Sequence, residues 1–134
     1  MSLTNEYSSI EGCVRQSTNN PISDMKTLSS DEVKDKANGT CYQDRVSTGY
    51  FNLINLFGLP TFGKSEDNKV LCEWVLENNS GDIITIYDWK SNTNDPEFIN
   101  EWHLGGKRDT SSNTFLDQVI QKIKKGVDLQ NLVC

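Results

Sequence analysis

The segment Glu101-Trp102-His103-Leu104-Gly105-Gly106-Lys107-Arg108-Asp109-Thr110-Ser111-Ser112 carries the richest run of chemically useful side chains. A glycine pair lets backbone N–H groups turn toward a ligand. A helix starting just beyond it offers free N–H groups and the positive end of its dipole to an anion. Lys107 and Arg108 add charge, and Thr110, Ser111 and Ser112 add hydroxyl donors. The run can therefore cradle a phosphate or carboxylate. It also has the composition of an ordinary strand-to-helix loop, and its spacing matches neither the P-loop nor the dinucleotide fingerprint.

His103 is the one histidine. With Glu101 or Asp109 it has the makings of a general base, although a lone strand histidine is more often structural or on the surface. A two-histidine metal site is excluded, and no metal ligand or cofactor is expected. No serine or cysteine sits in a motif that would activate it as a nucleophile. Trp74, Tyr87, Trp89 and Trp102 fall on candidate neighbouring strands. They can stack a planar base, an interaction worth ~1–3 kcal/mol, or simply pack the core. Asp88 and Lys90 flank Trp89 and are expected to point away from it as a solvated pair. The expected ligand site is Trp89, Trp102, His103, Gly105, Gly106, Lys107, Arg108 and Ser111, with no catalytic residue.

The elements that must hold these residues are legible from periodicity. Tyr50, Leu53, Ile54 and Phe57 follow the i, i+3, i+4, i+7 spacing of one helical face, and Gly58 and Pro60 end that helix. Lys69 to Glu77 and Asp82 to Lys90 read as strands joined by the turn Asn78-Asn79-Ser80-Gly81, hence an antiparallel hairpin. Ser91 to Phe98 reads as a polar loop. Ile99 to Leu104 is a third strand with Trp102 and Leu104 on one face and Glu101 and His103 on the other, broken by Gly105-Gly106. Asn113 to Lys125 is a helix with the stripe Phe115, Leu116, Val119, Ile120 and Ile123. Ser112 or Asn113 caps its start and Gly126 closes it. Leu129, Leu132 and Val133 are expected to dock on the core.

Residues 1–47 are weakly patterned and are expected to form a loosely structured N-terminal arm before a single α+β domain at 48–134. Within the arm, Asn19-Asn20-Pro21 reads as a turn. Ser29 with Glu32 fits a capping box, and Asn38-Gly39 stops the short helix it begins. The order helix, strand, strand, strand, helix predicts a small antiparallel sheet of about three or more strands with helices packed on one face.

A length of 134 residues fits one domain. Apolar residues make up 35% and charged residues 24%, and the net charge is −6. An acidic chain lacks the Lys/Arg excess with which proteins neutralise a phosphate backbone, so generic nucleic-acid binding is disfavoured. No apolar run approaches the ~20 residues of a membrane span, and the first ten residues do not read as a signal peptide. Cys13, Cys41, Cys72 and Cys134 lack zinc-knuckle spacing and are expected to be reduced thiols in a cytoplasmic setting. Asn38 and Asn78 are formal glycosylation sites.

Tyr50 with Leu53 and Phe57-Gly58-Leu59-Pro60, then Glu73-Trp74, Ile84-Thr85-Ile86-Tyr87-Asp88-Trp89-Lys90, and Trp102-His103-Leu104-Gly105-Gly106 occur in fixed order. In these pieces, from Thr48 to about Ile123, the chain resembles a group of small uncharacterised proteins of tailed bacteriophages and large DNA viruses. It departs from them in following the glycine pair with Lys107-Arg108 rather than a polar residue and serine. The resemblance implies a viral accessory gene acting in the host cell and carries no activity with it. The leading expectation is a non-enzymatic viral accessory protein that binds a small anionic ligand, a nucleotide, and so sequesters a host signalling nucleotide. The alternatives are a protein–protein interaction module, inhibiting a host factor or sitting in a virion, and a small hydrolase or nuclease using His103. A homo-oligomer is the base-rate expectation if the protein self-associates.

Overall fold

The computed structural model describes residues 25–133. The elements are β1 (Met25–Thr27), α1 (Ser30–Val33), β2 (Cys41–Ser47), α2 (Tyr50–Phe57), β3 (Glu73–Asn78), β4 (Ile83–Tyr87), a 3-10 turn (Pro96–Phe98), β5 (Glu101–Gly106) and α3 (Thr110–Val133). The five strands form one sheet in the order β1-β3-β4-β5-β2, and every neighbouring pair is antiparallel. The protein is an α+β fold.

Strand parity decides what each face carries. Trp74 and Leu76 of β3, Ile84 and Ile86 of β4, Trp102 and Leu104 of β5 and Val46 of β2 turn to one face. There they pack with Leu53 and Phe57 of α2 and with Phe115, Leu116, Val119 and Ile123 of α3. Burying an aliphatic or aromatic side chain of this kind contributes roughly 1.5–3 kcal/mol, so this layer supplies most of the folding drive. The indole N–H groups stay satisfied within it: Trp74 Nε1 donates to the Gly58 carbonyl at 2.9 Å and Trp102 Nε1 to the Thr48 carbonyl at 3.0 Å. On the opposite face, Leu28, Val33 and Ala37 cover only Val75 and Ile83. Beyond them Thr85 and Gly105 are also buried, and the rest of that face carries no helix.

Residues 25–47 do not form the weakly structured arm expected from their composition. They contribute β1 and β2, the two edge strands. Each needs only one buried face, so their sequences stay polar. The turn at Asn19-Asn20-Pro21, Cys13 and Cys134 lie outside the described residues. The Glu32 carboxylate accepts from the Ser29 N–H at 2.8 Å, as the capping box requires. However, α1 stops at Lys34 (φ 49°), before Asn38-Gly39.

α2 ends as expected, with the Gly58 N–H (φ 79°) donating to the Ile54 carbonyl at 2.8 Å. Both boundaries of α3 differ, and so do those of the strands: β3 begins at Glu73 rather than Lys69, β4 ends at Tyr87 rather than Lys90, and β5 begins at Glu101 rather than Ile99. α3 begins three residues early because Asp109, rather than Ser112 or Asn113, caps it: Asp109 Oδ1 accepts from the Ser112 N–H at 2.8 Å. It also runs through Gly126. A Cβ there would overlap the buried Asn52 side chain, which donates to Thr48 Oγ1 at 2.9 Å and to the Ile123 carbonyl at 3.2 Å. Gly126 is thus a packing residue and not a stop. Leu129 is 62% exposed and does not dock on the core; the side chains of Leu132 and Val133 lie outside the description.

Gly105 and Gly106 do not break β5; they are its last two residues. Gly105 pairs with Thr85 and Tyr42, and Gly106 with Ile84 and Cys41. A Cβ on Gly105 would stand 2.5 Å from Thr85 Oγ1 and 3.4 Å from the Cys41 carbonyl oxygen. Gly105→Ala is therefore expected to cost roughly 1–3 kcal/mol through overpacking, measured by urea denaturation. Unchanged stability would show that Thr85 can swing aside freely.

Candidate functional site

The uncovered part of the second face is aromatic. On β4 and β5 it presents Tyr87, His103 and Gly105, all of one parity. On β2 it presents Tyr42 and Arg45, an odd three residues apart. They share a face because a β-bulge at Gln43 resets the alternation: Tyr42 pairs with Gly105, while Asp44 pairs with Leu104 and Arg45 with His103. His103 is held edge-on by both tyrosines, with ring centroids 5.0 Å from Tyr42 and 5.5 Å from Tyr87.

Trp89, just past the end of β4, completes the wall. Trp89 is 46% exposed, as is Tyr42. Lys90 Nζ and Lys69 Nζ lie 5.6 and 5.8 Å from its ring centroid, within cation–π range. The expectation that Asp88 and Lys90 form a solvated pair facing away is therefore corrected on both counts. Lys90 reaches over the indole, and Asp88 is buried. It fixes the Leu71 and Cys72 N–H groups at 2.8 and 3.1 Å and the Ser91 hydroxyl at 3.0 Å.

Tyr42, Arg45, Tyr87, Trp89 and His103 line an open concavity of about 550 Å³, within the size range of small-molecule sites. A second hollow of about 290 Å³ adjoins it across Tyr87 and Trp89, with Gly105 and Thr85 among its lining and Glu73 at its side. Burial pushes the Glu73 carboxyl above the usual range. Burial pushes the Tyr87 phenol up as well, reinforced by the negative charge of Glu73. Arg45 makes one long contact with Glu101, 3.5 Å, between half-exposed side chains. Such a pair is weak and leaves the guanidinium available.

The eight residues expected to form one ligand site divide. Trp89, His103 and Gly105 meet on the open face. Trp102 is fully buried in the helix-side core, edge-on to Trp74 at 5.5 Å. Gly106 is buried on the core side against Ile84. The anion cradle at Lys107, Arg108 and Ser111 does not assemble either. The first turn of α3 is already supplied with carboxylates: Asp109 caps it, and Ser111 Oγ donates to Asp82. Hydrogen bonds from Ser112 hold the Asp109 carboxyl below the usual range, so it stays ionised and repels a second anion. Lys107 lines a hollow with Asp35, Asp82 and Asp109, three carboxylates against its ammonium and that of Lys36.

Sequence reasoning missed Tyr42 and Arg45, the two contributions of β2. Among the described residues, no group of three or more His, Cys, Asp or Glu side chains is placed to hold a metal ion. Cys41 and Cys72 are free thiols. Burial, with the Asp88 carboxylate nearby, pushes Cys72 up to about 12, which leaves it unreactive. Among the described residues, no helix is long and apolar enough to cross a membrane. Comparisons of the chain with family models, with curated proteins and with solved structures give no match.

Proposed function

We propose that the protein is a non-enzymatic binding module that holds a small planar anion, a nucleotide, on the open face of its sheet. The observation that carries this reading is the concavity walled by Tyr42, Tyr87, Trp89 and His103 with Arg45 at its edge. Aromatic rings at such a wall stack a base regardless of its identity, each worth ~1–3 kcal/mol. Arg45, Lys69 and Lys90 supply the positive charge for a phosphate. Three scattered cations in a chain of net charge −6 suit a mononucleotide better than a polymer, which needs a continuous basic track. Sequestration of a host signalling nucleotide is the role that fits the resemblance to viral accessory proteins.

Titration with nucleoside monophosphates tests the reading, followed by isothermal titration calorimetry in every variant and, where Trp89 is present, by its fluorescence against the constant background of the buried Trp74 and Trp102. Trp89→Ala is expected to weaken binding ~10-fold or more, the loss of one stacking partner, with no change in melting temperature. Arg45→Ala is expected to weaken nucleotides but not the corresponding nucleosides. Wild-type affinity in Trp89→Ala would displace the site from this face.

A second reading, a protein–protein interaction module, is favoured by Phe51, Leu59 and Phe98, which are 57%, 78% and 72% exposed. A partner held through them would be lost in Phe51→Ser and retained in Trp89→Ala.

A further inference from the structure

We infer that Glu73 selects the base: its carboxylate, set beside Trp89 in the smaller hollow, accepts from two adjacent N–H donors, so the ligand is a guanine nucleotide. This inference rests on the ligand reading above.

Glu73 stands directly opposite Tyr87 in the β3–β4 ladder, and its side chain lines the same hollow as Tyr87, Trp89 and Gly105. Gly105 lines that hollow without a Cβ, and one built there would meet Thr85 Oγ1 and Tyr87 Cε1. A ring stacked at Trp89 therefore has the Glu73 carboxylate near its edge. Among the described residues, no side chain or backbone N–H donates to that carboxylate, and no Lys or Arg pairs with it. Its neighbours Tyr87 and Thr85 sit in the same wall without satisfying it. A half-buried acceptor with no donor gains most from a ligand that brings its own.

Ligand chemistry then narrows the choice. Guanine presents N1–H and the exocyclic N2–H side by side, matching the two oxygens of a carboxylate in a bidentate, charge-assisted contact. Adenine offers an amino group beside a ring nitrogen lone pair, and cytosine does the same. Uracil offers one N–H between two carbonyls. Each of these sets a lone pair against the carboxylate. Hypoxanthine keeps N1–H and lacks the second donor, so inosine monophosphate isolates the contribution of the N2 amino group.

The experiment is the Trp89 fluorescence titration of the full chain with the monophosphates of guanosine, inosine, adenosine and cytidine, repeated on Glu73→Gln. In the wild type, the guanosine nucleotide is expected to bind ~10-fold tighter than the inosine nucleotide and ~100-fold tighter than the adenosine one, in line with sites that reject analogues lacking a paired donor. Glu73→Gln keeps the shape but offers only one acceptor, and should bring the guanosine and inosine nucleotides within about threefold, in keeping with the loss of one charge-assisted bond. Equal affinity of the wild type for all purines, with Trp89→Ala still weakening binding ~10-fold or more by calorimetry, would overturn the role of Glu73 and leave the ligand face standing. No quenching by any nucleotide would overturn both. The wild-type comparison needs no variant, so it decides the matter even if Glu73→Gln lowers the melting temperature.

Discussion

Trp102→Ala is expected to remove roughly 3–5 kcal/mol of folding stability, the range for deleting a fully buried large aromatic side chain. Trp102 is the pivot of the helix-side core. It has no exposed surface, meets Trp74 edge-on at 5.5 Å and lies against Tyr50 at 6.5 Å. Truncation leaves a cavity bounded by strands on one side and α2 on the other, where collapse is limited by the backbone. It also removes the donor to the Thr48 carbonyl, a group at the junction of β2 and α2 whose own N–H is committed to the Asn100 carbonyl at 2.9 Å. A small domain holds only ~5–15 kcal/mol in all, so the variant should be partly unfolded at 37 °C. Trp102→Phe should recover most of the packing but not the hydrogen bond. Trp89→Ala, on an exposed ring, should change stability by less than ~0.5 kcal/mol. Urea denaturation followed by far-ultraviolet circular dichroism distinguishes the three. A Trp102→Ala loss as small as that of Trp89→Ala would contradict the placement of the two tryptophans on opposite sides of the sheet.

That placement was within reach of the sequence. Adjacent strand residues point to opposite faces, so Trp102 and His103 cannot line one pocket, and neither can Gly105 and Gly106. Parity alone divides the expected site. The α2 helix, the β3–β4 hairpin and the facing of Trp102 and Leu104 were legible because their apolar residues repeat at the period of the element. β2 was not, for two physical reasons. An edge strand exposes most of its side chains, so Cys41 to Ser47 shows only Val46 as a buried apolar residue. The bulge at Gln43 also shifts parity within the strand, which no alternation rule can follow. Tyr42 and Arg45 were hidden by that one residue. The end of α3 was misread at Gly126 because a helix-terminating glycine and a glycine required by a neighbour's side chain look identical in one dimension; the difference lies in Asn52, 74 residues away in sequence.

Asp88→Ala is expected to cost about as much as the loss of a core aromatic, roughly 3–5 kcal/mol, for an electrostatic reason. The carboxylate is 1% exposed and accepts three hydrogen bonds, two of them from the consecutive backbone N–H groups of Leu71 and Cys72. These two amides lead into β3 just where it begins to pair, and in alanine they would lose their acceptor, that of Cys72 in a buried position and that of Leu71 in a partly buried one. Each orphaned donor costs ~1–3 kcal/mol, and the removed bonds are charge-assisted and hence stronger than average. Asp88→Asn keeps an oxygen where Oδ1 stands and turns its amide toward Ser91, whose hydroxyl can rotate to accept. It should therefore cost only about 1 kcal/mol, the difference between charged and neutral acceptors. Hydrogen exchange at Leu71 and Cys72 gives a direct local reading, with protection lost in the alanine variant and largely kept in the asparagine variant. Equal stability of the two variants would mean that Asp88 contributes volume and not hydrogen bonds. The result bears on the ligand face as well, because Asp88 sits between Tyr87 and Trp89. If its bonds fix the chain there, Asp88→Ala should weaken nucleotide binding even under conditions where the domain stays folded, whereas Asp88→Asn should leave it near the wild type.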